Sequence, residues 1–388
     1  MKVYMDYGAA SPVDPRVLEE ILPYFSEVFG NPSSIHSHAY MAQNALKTAR
    51  LRVSSLIGAQ PEEIVFTSGA TESNNLALIG AATRYRSRGS KIVISNVEHI
   101  STLNVCKELH RQGFEVKYAP VDGEGIISLP KLKKLVDDDT VMVSVMAANG
   151  EIGTIQPIEE AAKIAHEHDA LFHTDATAAA GKIPLNVVED GVDLMTLSSN
   201  DIYGPKGVGA LYVRKGLRVR PLIIGGGQEG GMRSGSENIP GIVGMGKAAE
   251  LAEAEMGDES ERLTRMRDRL IRGITEVVPE SFLNGHPTRR LPNNANIRFS
   301  YVEGEALILS LDQLGIQVSS GSACTSKTLE PSHVLLALGL KHEEAHGSLV
   351  FTLGKGNREE HVEYVISQLP GVVRNLRSIS PLTPEELR

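Results

Sequence analysis

The chain has 388 residues, a formal net charge of -9 and only two cysteines, Cys106 and Cys324. At roughly 150 residues per domain the length predicts two or three domains, and the cysteine count excludes a disulfide framework. The acidic balance, the absence of tryptophan and an aromatic content of 5% argue against a nucleic-acid partner.

In chain order, residues 13–28 predict a helix, with Val17, Ile21 and Leu22 at helical spacing. Residues 36–57 predict a second, ending at Gly58. Ile64-Val65-Phe66 reads as a short buried strand and 71–85 as a helix. Strands are then predicted over 91–95 (KIVIS), 141–147 (VMVSVMA), 171–174 (LFHT), 193–198 (DLMTLS) and 209–213 (GALYV), with helices between several of them. Strands apolar on both faces that alternate with helices imply an α/β fold around a mostly parallel, doubly covered sheet. From about 257 the character changes: a charged amphipathic helix over 258–277, strands at 296–300, 316–320 and 348–352, and helices at 303–314, 332–339 and 358–376. The expected division is a large domain over 15–256, and a smaller α+β domain formed by 1–14 with 257–388. No apolar run approaches the ~18 residues that span a bilayer. MKVYMDYGAA carries no apolar secretory core. A cytoplasmic enzyme without a membrane partner is therefore expected.

Five segments carry candidate chemistry. In FTSGATESNNLAL (66–78) a strand runs through Gly69, Ala70 and Thr71 into a helix. Free N–H groups there suit a phosphate, although an ordinary N-cap has the same residues. In HTDAT (173–177), Asp175 ends an apolar strand, where open α/β sheets bind ligands. Buried there, it calls for a cation such as the protonated nitrogen of a pyridine cofactor; a helix N-cap is the simpler alternative. SSNDIYGPKGVGALYV (198–213) and GGGQEGGMRSGSEN (225–238) are glycine-rich loops, the second offering Arg233 and Ser236 to a phosphate or a neighbouring subunit. In SSGSACTSKTLEPSHV (319–334), Cys324 lies among small polar residues, a setting that suits a nucleophile. Cys106, on an apolar helix, reads as a core residue.

Taken together these segments resemble the cysteine desulfurases of the NifS/IscS group, pyridoxal-phosphate enzymes with the aspartate-aminotransferase-like fold (class V). The matching segments are MDYGAASPVDPRV, GNPSSIHS, SGATESNN, EH at 98–99, HTDA, YGPKGVGALYV, GGGQE, MRSG and GSACTS. The resemblance implies a cofactor phosphate held by Ala70, Thr71 and Ser198. It implies Ser236 reaching that phosphate from the partner of a homodimer. It further implies Asp175 on the pyridine nitrogen, His99 stacked on the ring and aiding proton transfer, and Asn149 near the cofactor hydroxyl or the substrate. Cys324 is implied as the nucleophile that takes sulfur from L-cysteine as a persulfide. The acceptor implied is an iron–sulfur scaffold protein of the IscU/NifU kind.

The sequence departs from that pattern around the third segment. The family's His-Lys reads Asn200-Asp201 here, so Asp201 stands at the Schiff-base lysine and cannot form an imine. Lys206 is no substitute, because the family carries that lysine too. Ala178, Gly150 and Gly230 stand for the family's Gln, Asn and Arg, and Lys355 for the arginine that clamps the substrate carboxylate. Lysine keeps the charge but loses the bidentate fork. These departures imply pyridoxal phosphate bound non-covalently and weak turnover, with Asp201 able to accept the Cα proton. They equally suit an impaired desulfurase that docks a scaffold and lends Cys324 as sulfur acceptor or as a ligand of a shared 2Fe-2S cluster.

Overall fold

A computed structural model of the chain describes residues 1–321 and 331–387. Its strands are β1 (Val3–Tyr4), β2 (Ile64–Thr67), β3 (Lys91–Ser95), β4 (Glu115–Ala119), β5 (Thr140–Ser144), β6 (Leu171–Asp175), β7 (Leu194–Ser198), β8 (Gly209–Val213), β9 (Ser281–Asn284), β10 (Asn294–Phe299), β11 (Ile316–Gln317) and β12 (Ser348–Thr352). The helices are α1 (Pro15–Ile21), α2 (Pro23–Ser26), α3 (Ser37–Leu56), α4 (Ala70–Arg84), α5 (Ile100–Arg111), α6 (Leu129–Leu135), α7 (Ile158–His166), α8 (Ile239–Val277), α9 (Gly304–Gln313), α10 (His333–Ala337), α11 (His342–His346) and α12 (Glu359–Ile379).

Seven strands form the main sheet in the order β2-β8-β7-β6-β5-β3-β4. β8 runs antiparallel to β2 and β7, and the other pairs are parallel. Successive strand residues point to opposite faces, so Val93 enters one core while Ile92 and Ile94 enter the other. The first core is covered by α3, α7 and the start of α8; the second is covered by α4 and α5, with Cys106 buried in it. A smaller antiparallel sheet, β12-β10-β9, packs against the end of α8, α9 and α12, with β1 paired to β11 nearby.

Two helices differ from their sequence reading. The stretch 13–28 breaks into α1 and α2 at Pro23, which supplies no N–H to continue the ladder. The helix expected from 258 begins instead at Ile239 and runs 39 residues, so the division drawn at 256/257 falls inside it. Its glycines disguise the early turns. At Gly246 a Cβ would stand 2.5 Å from Ala49 Cα, so the residue permits α8 to lie against α3. The first turns of α8 bury Ile239–Ala249 in the first core, and the turns from Leu263 bury in the small-sheet core. Strands β4 and β9, both at sheet edges and partly exposed, were not apparent in the sequence. Among the described residues no helix is long and apolar enough to cross a membrane.

Candidate active site

The C-terminal end of β6 places Asp175 at the centre of a polar cluster. Its side chain is buried, with Oδ2 accepting from Asn74 Nδ2 at 2.7 Å and Oδ1 from the Thr177 N–H at 3.0 Å. Asn74 lies on α4, and the same amide nitrogen donates to Ser101 Oγ at 2.9 Å. Ser101 Oγ lies 2.7 Å from His99 Nδ1, and His99 caps α5 by accepting the Ser101 N–H at 3.2 Å. Asp175, Asn74, Ser101 and His99 thus form one hydrogen-bonded chain from a buried carboxylate to an exposed imidazole. Asp175 and His99 were singled out in the sequence; Asn74 and Ser101 were not. The available signal was a buried-side asparagine on an otherwise apolar helix face, which is costly unless it has partners.

Beside this chain α4 begins at Ala70. Gly69, at φ +151°, precedes it, and no side chain caps the first turn. A Cβ on Gly69 or on Gly207 would meet nothing within 4 Å, so the turn opens onto free space. Ser198 ends β7 and is buried, with its hydroxyl bonded to Asp201. Ser236 is exposed. Arg233 is held by Glu72, Nε to Oε1 at 2.9 Å, and Glu72 also accepts the Ser68 N–H at 2.8 Å. The loop 225–238 is anchored by Glu229, which takes both Arg50 terminal nitrogens at 2.7 and 2.8 Å and the Phe66 N–H at 2.9 Å.

Asn200, Asp201 and Ile202 form a single tight turn after β7. Asn200 Oδ1 accepts from the Ser11 N–H at 3.3 Å. Burial raises the Asp201 carboxyl above its ordinary range; the charge of Lys182 and hydrogen bonds from Ser198 and Asn200 oppose that rise. Lys182 donates to the Asp201 carbonyl oxygen at 3.2 Å, and burial lowers its pKa against the pull of the Asp201 charge. Sequence reasoning missed Lys182, because a lysine after AAAG fits any surface turn. Lys206 donates to the Ser11 carbonyl oxygen at 3.1 Å.

Three further groups frame the site. Lys355 Nζ donates to Asp14 Oδ2 at 3.0 Å and Glu255 Oε2 at 2.8 Å, and sits 5.0 Å from the Tyr203 ring centre. Asn149 is buried and secures its own loop: Oδ1 accepts the Glu151 and Ile152 N–H groups at 2.9 and 3.0 Å, and Nδ2 donates to the Val97 carbonyl at 2.9 Å. Glu98, fully buried, accepts from Ser95 Oγ and the Met146 N–H on Oε1, while Oε2 has no partner among the described residues; burial pushes its pKa up to about 8, and the Asp175 charge adds to the rise. Cys324 lies outside the described residues.

The class-V aminotransferase profile matches residues 3–365. A protein of Archaeoglobus fulgidus called cysteine desulfurase IscS 1 is 56% identical over 98% of this chain and 99% of its own. The cysteine desulfurase IscS of Methanosarcina thermophila is 50% identical over 100% of this chain and 95% of its own. A solved structure described as a NifS-like protein superposes with a TM-score of 0.91 at 39% identity, covering 97% of this chain and 100% of that one.

The chain belongs to the NifS/IscS group of class-V aminotransferases.

This family is built around pyridoxal phosphate. The residues present suit that group. Asp175 supplies a seated carboxylate, and the uncapped α4 start supplies an anion site. Among the described residues the buried Asn74 Oδ1 and Thr177 Oγ1 have no partner, which is unusual without a polar guest. At position 201, in the turn after β7, this chain carries a carboxylate, which cannot form an imine.

Proposed function

We propose that this protein is a cysteine desulfurase. It takes sulfur from L-cysteine onto Cys324, releases L-alanine, and hands the sulfur to an IscU/NifU-type scaffold in iron–sulfur cluster biogenesis. The observation that carries this reading is the hydrogen-bonded chain from Asp175 through Asn74 and Ser101 to His99, beside an open helix N-terminus. The names of the relatives support the same reaction class.

In this reading the Ala70 and Thr71 N–H groups, the Thr71 hydroxyl and Ser198 hold the cofactor phosphate, with Ser236 arriving from a second copy. Asp175 faces the pyridine nitrogen. Pyridoxal phosphate, when bound, supplies the electron sink for the bonds at the α- and β-carbons of cysteine. Asn149 orients the cofactor hydroxyl through its loop, and Lys355 meets the substrate carboxylate. Asp201 receives the Cα proton and His99 relays protons. Transfer breaks the substrate C–S bond and forms an S–S bond on Cys324, and the β-carbon gains a proton. The thiol and cysteine become a persulfide and alanine with no external oxidant. Because Asp201 offers no amine, the cofactor is held non-covalently and turnover is slow. A positioned general base is worth ~10²–10⁴-fold, and the lysine's absence removes more than one such effect. Exposed Phe25, Phe29, Ile35 and Tyr40 along the N-terminal segment support burial against a second copy.

Asp201 favours one second reading: an impaired desulfurase that docks the scaffold and supplies Cys324 as sulfur acceptor or as ligand of a shared 2Fe-2S cluster. Copurification with a scaffold, and a cluster absorbance lost in Cys324→Ala, distinguish it. Alanine release from L-cysteine with added pyridoxal phosphate tests the first reading. Release above the Cys324→Ala control is expected; release equal to that control contradicts it.

A further inference from the structure

Asp14, Arg16, Glu255 and Lys355 close a ring of alternating charges. Arg16 pairs with Asp14 at 2.7 Å and with Glu255 at 2.5 Å, and Lys355 bridges the same two carboxylates at 3.0 and 2.8 Å. An ammonium has three donors. Two of those on Lys355 are taken by carboxylates, and Tyr203 covers the cation from a third side. A substrate carboxylate at Lys355 therefore competes for the cation with two carboxylates already there.

The two acids differ in how readily they yield. Asp14 has a side-chain exposure of 6%, forks onto Arg16 through both oxygens and accepts the Arg16 N–H at the start of α1. Glu255 has a side-chain exposure of 35% and no backbone duty among its bonds. It also lines, with Lys355, Lys182, Tyr203 and Asp201, a cavity of about 40 Å³ between the first core and the small-sheet core. The Glu255–Lys355 contact thus lies beside the turn that carries Asp201. We propose that Glu255 is a built-in competitor for the substrate carboxylate: it occupies the carboxylate place on Lys355 until an α-amino acid displaces it, and so sets the affinity for that class of ligand. This rests on the reading of Lys355 as the carboxylate anchor.

The test is calorimetric binding of L-alanine, which carries the carboxylate but no sulfur, to the full chain with pyridoxal phosphate added. Glu255→Gln is expected to tighten alanine about two- to fivefold, the scale of a partly exposed ion pair. The KM for L-cysteine should fall by a similar factor with kcat unchanged. Glu253→Gln removes the same charge from a residue bonded to Ser55 rather than to the ring, and should change nothing. Ethylamine, lacking a carboxylate, should bind both proteins alike. Unchanged or weaker alanine binding in Glu255→Gln overturns the proposal, as does equal tightening in Glu253→Gln. Should the glutamine variant fail to fold, Glu255→Asp, one methylene shorter, is expected to tighten alanine in the same direction, and the same outcomes apply to it. Lys355→Met separates the two layers. Weakened alanine binding there with no effect of Glu255→Gln refutes competition alone, whereas alanine binding untouched by Lys355→Met refutes the anchor reading beneath it.

Discussion

The Asn74 side-chain amide lies 2.7 Å from the Asp175 carboxylate, and both side chains are buried. That donor aims the buried side chain, whose other partner among the described residues is the Thr177 N–H. Losing a hydrogen bond to a buried charge costs about 1.5–3 kcal/mol. Asn74→Leu should therefore weaken pyridoxal phosphate binding about tenfold or more in a fluorescence titration. Asn74→Asp, which sets a second carboxylate against Asp175, should weaken it further.

Glu98 gives the fold a distinct pH dependence. Its folded pKa of about 8 stands above its ordinary 4.5, so between those values the folded state holds a proton that the unfolded state has released. Stability therefore falls as pH rises through that window, by up to ~1.4 kcal/mol per unit. Glu98→Gln mimics the neutral form and removes the slope. Wild type should lose melting temperature between pH 6 and pH 8 relative to that variant, with the gap closing near pH 5.

Lys182 and Asp201 are each strained by burial and each eased by the other. Asp201, raised from its ordinary 3.8, costs stability as pH rises. Lys182, lowered from 10.5, costs stability as pH falls. Lys182→Met and Asp201→Asn should each be most destabilising at intermediate pH, where wild type pairs the ionised carboxylate with the ionised amine, and least so in strong acid or alkali. The double variant should be less impaired than the sum, with a coupling of ~0.5–3 kcal/mol in urea denaturation.

Arg50 and Glu229 pin the 225–238 loop to β2, and Arg50 also lies 4.8 Å over the Phe66 ring. Arg50→Met leaves the Glu229 carboxylate buried and unpaired, at a cost of about 3 kcal/mol. Arg50→Lys should recover only part of this, because an ammonium cannot fork onto both oxygens. Urea midpoints measure both.

The sequence disclosed what is local. Apolar runs located β2, β3, β5, β6, β7, β8, β10 and β12, and small-residue turns marked the α4 start and the loops after β7 and β8. Asp175 and His99 were legible because each ends or precedes a regular element. What escaped depends on distant partners. Ser101 matters only because Asn74, 27 residues earlier, reaches it. Lys182 acquires meaning from a turn 19 residues later. The ring around Lys355 joins positions 14, 16, 255 and 355, which no spacing rule connects. The early turns of α8 were hidden by glycines, of which Gly246 serves close contact with α3 rather than helix propensity.

The most direct test of the account is the mass of the peptide carrying Cys324 after incubation with L-cysteine and pyridoxal phosphate, in wild type and in the paired replacement Asn200→His with Asp201→Lys. The account predicts a gain of one sulfur atom on that peptide in wild type, accruing slowly and matched by alanine. It predicts a markedly faster gain in the paired variant, with cofactor retained on position 201 after borohydride reduction. No sulfur on Cys324 in either protein, with both folded, would contradict it.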